Sequence, residues 1–169
     1  GKSTLINVLG GAITDYQGQV LLREQVTRFA SPLDAIRRGV AVIHQELALV
    51  PSLSVLENLF LGDPPTRFGF VDRRQMRARA KQILARLSLQ VDLDQVVESL
   101  PISTQQLVEI AKALKHEAKV VVMDEPTSSL TEVETEHLFR IIRDLKSKGV
   151  AIIYISHKMN EIFRIADEV

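Results

Sequence analysis

The chain contains no cysteine, which excludes a disulfide framework and any thiolate metal site and fits a reducing compartment. A dominant sign of charge is missing too: 21 Lys and Arg balance 21 Asp and Glu. No global field therefore recruits nucleic acid or an acidic membrane surface. No apolar run approaches the roughly 18 residues of a spanning helix and no signal peptide is visible, so the chain is not expected to cross a membrane by itself. Aromatic residues make up only 5%. What is present, 46% hydrophobic and 25% charged residues in a chain of 169, has the balance of an ordinary soluble globular protein. The length suits one domain that buries about 70% of its unfolded surface.

One stretch organises the rest: Val120-Val121-Val122-Met123-Asp124-Glu125-Pro126-Thr127. Four consecutive apolar residues, three of them β-branched, predict a strand buried on both faces, as in a parallel sheet covered by helices. Asp124 and Glu125 stand where that strand ends, the edge at which open α/β sheets bind ligands. Adjacent acids at the margin of an apolar core repel each other and lose hydration. They read either as an acidic turn or as a pair that meets a cation.

The chain opens on Gly1-Lys2-Ser3-Thr4 and runs into Leu5-Ile6-Asn7-Val8-Leu9. This is the second half of the phosphate-binding loop G-x-x-x-x-G-K-[ST], in which backbone N–H groups and a helix N-terminus cradle phosphate oxygens. The lysine of that motif reaches the β- and γ-phosphates and the serine hydroxyl binds Mg²⁺, tasks that fall to Lys2 and Ser3. Plain helix-start chemistry is the other reading. A chain that begins this way reads as cut from something longer, without the first half of the loop.

Further along, Ser31 and Pro32 open a short helix and Val40-Ala41-Val42-Ile43 forms a strand that delivers His44-Gln45-Glu46 to its end. Residues 47–100 are mainly helical and read as a subdomain inserted into an α/β core of residues 1–46 and 101–169. Ser54-x-x-Glu57 predicts a capped helix running to Gly62. Asp72-x-x-Gln75 caps a longer one with Met76, Ala80, Ile83 and Leu87 on its apolar face. The opposite face carries Arg73, Arg74, Arg77, Arg79, Lys81 and Arg86; with no aromatics interleaved it reads as a solvated face rather than a nucleic-acid surface. Ser103-x-x-Gln106 and Thr131-x-x-Glu134 predict two more capping boxes, the first for a helix burying Leu107, Ile110, Ala111 and Leu114. Gly149 ends the last helix before a second buried strand, Ala151-Ile152-Ile153-Tyr154-Ile155, which delivers Ser156-His157-Lys158. Helix then strand, repeated, predicts right-handed parallel crossovers and brings His157 to the same sheet edge as Glu125. A lone histidine there is either structural or catalytic.

The ordered set resembles the nucleotide-binding domain of an ATP-binding cassette (ABC) protein, an α/β fold of P-loop NTPase type with an inserted helical subdomain. Gly1-Lys2-Ser3-Thr4 is similar to the end of the Walker A loop, Gln45 to the Q-loop, and Val120 to Glu125 to the Walker B strand with its glutamate. Ser128-Ser129-Leu130-Thr131 is similar to the D-loop and His157 to the switch histidine. Val42 to Leu47, Leu107 to Leu114, Asp124 to Thr131 and Tyr154 to Met159 look like the first of two tandem cassettes in the ATPases of ribose, galactose and xylose importers. On that pattern the chain stops before the last strands of the cassette.

The resemblance implies ATP and Mg²⁺ as cofactors. Gly1, Lys2, Ser3 and Thr4 surround the phosphates, with Lys2 on the γ-phosphate. Ser3, Asp124 and Gln45 attend the Mg²⁺, Glu125 polarises the attacking water, and His157 holds the γ-phosphate. Gln45 also couples to the permease. Implied partners are transmembrane permease subunits, a second cassette in the same chain or a homodimer, and indirectly a periplasmic or extracellular sugar-binding protein. The implied place is the cytoplasmic face of the membrane, and no nucleic acid is expected. Two departures qualify the match. The signature Leu-Ser-Gly-Gly-Gln is replaced by Leu100-Pro101-Ile102-Ser103-Thr104, leaving Ser103 at a capped helix start to face the partner's ATP with weakened contact. The D-loop aspartate is Thr131. An ATPase powering monosaccharide import is the expectation; the alternative is a degenerate cassette that binds nucleotide for regulation or dimerisation while a partner site hydrolyses. A cassette acting on DNA or ribosomes fits less well, given the Gln45 stretch and zero net charge.

Overall fold

A computed structural model describes residues 1–116 and 118–169. Along the chain run α1 (Lys2–Leu9), β1 (Val20–Leu22), β2 (Gln25–Thr27), α2 (Pro32–Arg37), β3 (Val40–Ile43), α3 (Val55–Leu59), β4 (Thr66–Arg67), β5 (Phe70–Val71), α4 (Arg73–Arg86), a 3₁₀ turn (Val97–Ser99), α5 (Ile102–Leu114), β6 (Val120–Asp124), α6 (Glu132–Ser147), β7 (Ala151–Ile155) and α7 (Met159–Ile165). These form two compact units, one of Gly1–Gln45, His116–Pro126 and Ile142–Val169, the other of Glu46–Lys115 and Thr127–Ile141. The second unit thus takes in residues 101–115 and 127–141, which the pattern of motifs assigns to the α/β core.

The first unit is built on a three-stranded parallel sheet in the order β3-β6-β7. Val121, Val122 and Met123 of the central strand are fully buried, as four apolar residues in a row predict for a strand covered on both faces. The register pairs Ile43 with Met123 and Asp124 with Ile155, so the three strands end side by side. The outer strand β7 departs from the buried strand expected: Ala151 and Ile153 are exposed. It has a single strand neighbour among the described residues, and its alternate side chains face outward. Helix α1 packs on β3, with Gly10 close to Val42. At Gly11 the backbone turns with φ +73°, and a Cβ there would lie 2.5 Å from the Ser31 carbonyl oxygen, so glycine is required. Ser31 caps α2 by accepting from the Asp34 N–H at 3.2 Å, with Pro32 in the first turn.

In the second unit α3, α4 and α5 pack on one another through Val55, Leu56, Leu59, Met76, Ala80, Ile83, Leu84, Leu87, Val108, Ile110 and Ala111, all buried. The Ser54–Glu57 box forms as predicted: Glu57 N–H donates to Ser54 Oγ at 3.2 Å and Ser54 N–H to Glu57 Oε2 at 3.0 Å. The helix it opens stops at Leu59, short of Gly62. Asn58, fully buried, accepts from Val50 N–H and donates to the carbonyls of Val50, Leu53 and Ser54. One amide thereby holds the preceding loop onto α3. The Thr131–Glu134 box also forms, whereas the Ser103–Gln106 box does not. Helix α5 starts at Ile102 behind Pro101, whose φ of −55° already suits a helix start. Ser103 therefore lies inside the first turn, its hydroxyl goes to Glu134, and Gln106 is buried instead of reaching back.

Candidate nucleotide-binding site

Strand β6 carries the site's two acids to the carboxyl edge of the sheet. Asp124 is its last residue. Glu125 follows with φ +47°, a left-handed conformation that costs a residue with a Cβ about 1–3 kcal/mol and collects at functional sites. Its N–H donates to the Ile155 carbonyl at 2.9 Å, extending the β6–β7 pairing one residue past the strand. That backbone turn aims the carboxylate across the edge, where Oε1 lies 3.0 Å from Nδ1 of His157. The Glu125 side chain is 24% exposed and that of His157 65%, so the pair is sheltered on the glutamate side and open on the histidine side. The sequence places His157 on the same sheet edge as Glu125, and the structure brings the two into direct contact.

Gln45 stands two residues past the end of β3 and is exposed, on the strand next to β6. At the start of α1 the first intrahelical bond is Leu5 N–H to the Gly1 carbonyl at 3.3 Å. The N–H groups of Lys2, Ser3 and Thr4 thus lack a helical acceptor. No acid sits in that first turn, and Gly1 to Thr4 are all exposed. Three free N–H donors, an ammonium and two hydroxyls at a positive helix end form a donor set for phosphate oxygens. Ser103 belongs to the second unit; its hydroxyl bonds to Glu134.

The acceptor chemistry also fits Mg²⁺. Among the described residues no three His, Cys, Asp or Glu side chains cluster closely enough to hold a metal. Asp124 with the Ser3 hydroxyl offers one carboxylate and one neutral oxygen, the sparse protein contribution that Mg²⁺ accepts when phosphate and water supply the rest.

One buried carboxylate beside His157 stands outside the motifs read from the sequence. Glu161, on the first turn of α7 and only 4% exposed, accepts from Tyr154 and Ser156 and pairs with Lys158. The signal was there, since Lys158-x-x-Glu161 has the spacing of the boxes at Ser54 and Thr131. Lysine is no capping residue, however, and the hydroxyl that completes the motif stands two positions earlier, at Ser156.

Comparison with known proteins gives these features a lineage. Residues 1–128 match the family described as ABC transporter. Over 169 residues the chain is 50% identical to a ribose/galactose/methyl galactoside import ATP-binding protein 2 of Rhizobium etli and 51% identical to its namesake in Rhizobium meliloti. In both cases 99% of this chain is covered, but only 33% of the relative, so the chain spans about a third of the length of these proteins. Among solved structures, a nucleotide-free ATP-binding cassette of an ABC transporter superposes with a TM-score of 0.84 at 26% identity. An ATP-binding cassette in its ADP conformation gives 0.83 at 27%. Each alignment covers 99% of this chain and 70% of the other, which makes the fold that of an ABC cassette. A family match over more than half of its length thus joins the fold, and the chain belongs to the ABC transporter family.

Proposed function

We propose that this chain is the catalytic part of a subunit that binds and hydrolyses ATP to drive a monosaccharide through a membrane permease. The observation that carries the reading is the Glu125–His157 contact of 3.0 Å, made by a glutamate held in a left-handed backbone at the carboxyl edge of the sheet. A regulatory cassette has no need to hold a base in so costly a conformation. The names of the half-identical relatives support ribose, galactose or methyl galactoside as the class of cargo.

Each residue has a task in this reading. Lys2 and the N–H groups of α1 hold phosphate oxygens, and Ser3 and Asp124 hold Mg²⁺, with Gln45 beside them. ATP with Mg²⁺ supplies a phosphoryl group whose transfer depends mostly on positioning and charge stabilisation. Glu125 accepts a hydrogen bond from the attacking water and takes its proton as general base, a contribution of about 10²–10⁴-fold. His157 gives its Nδ1–H to Glu125, which fixes the ring and turns its Nε2 edge outward; with both ring nitrogens protonated, Nε2–H donates to a phosphate oxygen. Ser103, in the first turn of α5, faces the nucleotide of a second cassette. The permease meets the helical second unit, with Gln45 at its root, on the cytoplasmic face of the membrane, and a sugar-binding protein delivers cargo on the other side. Among the described residues no helix is long and apolar enough to cross a membrane.

Sugar uptake into proteoliposomes carrying the full-length ATPase and its permease tests the reading. Glu125→Gln stops ATP-driven uptake while ATP remains bound; uptake at the unaltered rate overturns it.

A further inference from the structure

The side chain of His157 is 65% exposed, and Glu125 is the partner the site provides for it. A ring that open keeps one geometry only if the backbone beneath it is fixed. That backbone has no regular structure: β7 ends at Ile155 and α7 begins at Met159, leaving three residues to turn the chain with the histidine in the middle.

Glu161 supplies the fixation. Its Oε2 accepts from Tyr154 Oη at 2.8 Å, on β7, and from Ser156 Oγ at 3.1 Å, one residue before the histidine. Its Oε1 lies 3.1 Å from Lys158 Nζ, one residue after. Ser156 Oγ in turn accepts from Lys158 N–H at 3.0 Å. A chain of bonds therefore runs from the first backbone amide after His157, through Ser156, to a single carboxylate. In an ordinary capping box the N3 carboxylate reaches the N-cap amide directly; here a hydroxyl is inserted, and the loop bearing His157 is gripped at both neighbours. The carboxylate is nearly buried, where charge-assisted bonds are strong and an unmade one is expensive.

We propose that Glu161 is the positioning residue for His157: it acts through Ser156 and Lys158 to hold the imidazole against Glu125, without touching nucleotide. The inference rests on the role given to His157 above, and its test separates the two. The variants Glu161→Gln, His157→Ala and the double variant are made in the full-length protein. ATP turnover and the KM for ATP are measured, together with the His157 ring resonances in ¹³C-histidine-labelled protein, assigned by their loss in His157→Ala.

The expected result is a fall in kcat of about tenfold for Glu161→Gln, with KM changed less than about twofold. The His157 resonance moves toward that of a free imidazole, and no further loss of kcat appears when His157 is already alanine. A Glu161→Gln loss that persists in full on the His157→Ala background assigns Glu161 a merely structural role and overturns the proposal. So does an unmoved His157 resonance in a folded Glu161→Gln protein. If His157→Ala itself keeps full turnover, the catalytic reading of the histidine falls, while the resonance shift still decides whether Glu161 positions it. Ser156→Ala, which leaves the carboxylate in place and removes the relay, provides a second route and reproduces the resonance shift.

Discussion

At Asn58 and Gly11 single residues carry stability that no pattern of hydrophobicity announces. Asn58 uses both ends of its amide on backbone groups of 50–54 while fully buried. Replacing it with leucine strands the Val50 N–H and removes the second donor of three carbonyls that keep a backbone bond, a change expected to cost about 1–3 kcal/mol. Chemical denaturation reads this as a lower midpoint with an unchanged slope. Gly11→Ala meets both a positive φ and the Ser31 carbonyl at 2.5 Å, and is expected to cost at least about 1 kcal/mol in the same measurement. Glu125 belongs to this scale as well. Its φ of +47° was not readable from Asp-Glu-Pro, because a residue before proline ordinarily takes an extended backbone. The structure imposes the turn by tying Glu125 N–H to β7.

At the scale of elements, what the chain announced were interactions between near neighbours. Four β-branched or apolar residues gave β6 to within a residue, and Ser54-x-x-Glu57 and Thr131-x-x-Glu134 formed because each box needs only its own four residues. The Ser103 box failed because its hydroxyl found an acceptor on another helix, a competition invisible in a local window. The same reason hid Glu161, whose partners come from a strand, a loop and a helix end. The helix starts also set an acid sensitivity. Hydrogen bonds from Ser103 and from Thr131 hold the Glu134 carboxyl below its usual range, and those from Ser54 do the same for Glu57. A depressed carboxyl contributes stability that is present above the ordinary carboxyl range and is lost as the pH falls through the folded-state value. Thermal unfolding followed below about pH 4 is therefore expected to show a steeper loss in the unaltered protein than in Glu134→Gln, which has no carboxyl to titrate there.

At the scale of the molecule, the parallel direction of the strands was legible, whereas their order was not. Parallel strands follow from helical crossovers, and the shared direction of β3, β6 and β7 sends Gln45, Asp124, Glu125 and His157 to one edge. The boundary between units depends on which helices share contacts, and α5 with the first half of α6 went to the helical side. The role proposed for Glu125, steadied by His157, is to activate water for ATP hydrolysis. Single-turnover hydrolysis of ATP by the full-length protein with Glu125→Gln tests it most directly, with nucleotide binding measured on the same sample. Bound ATP is expected to persist, with the cleavage step slowed by about 10²-fold or more. Cleavage at the rate of the unaltered protein, with ATP bound equally well, would contradict it.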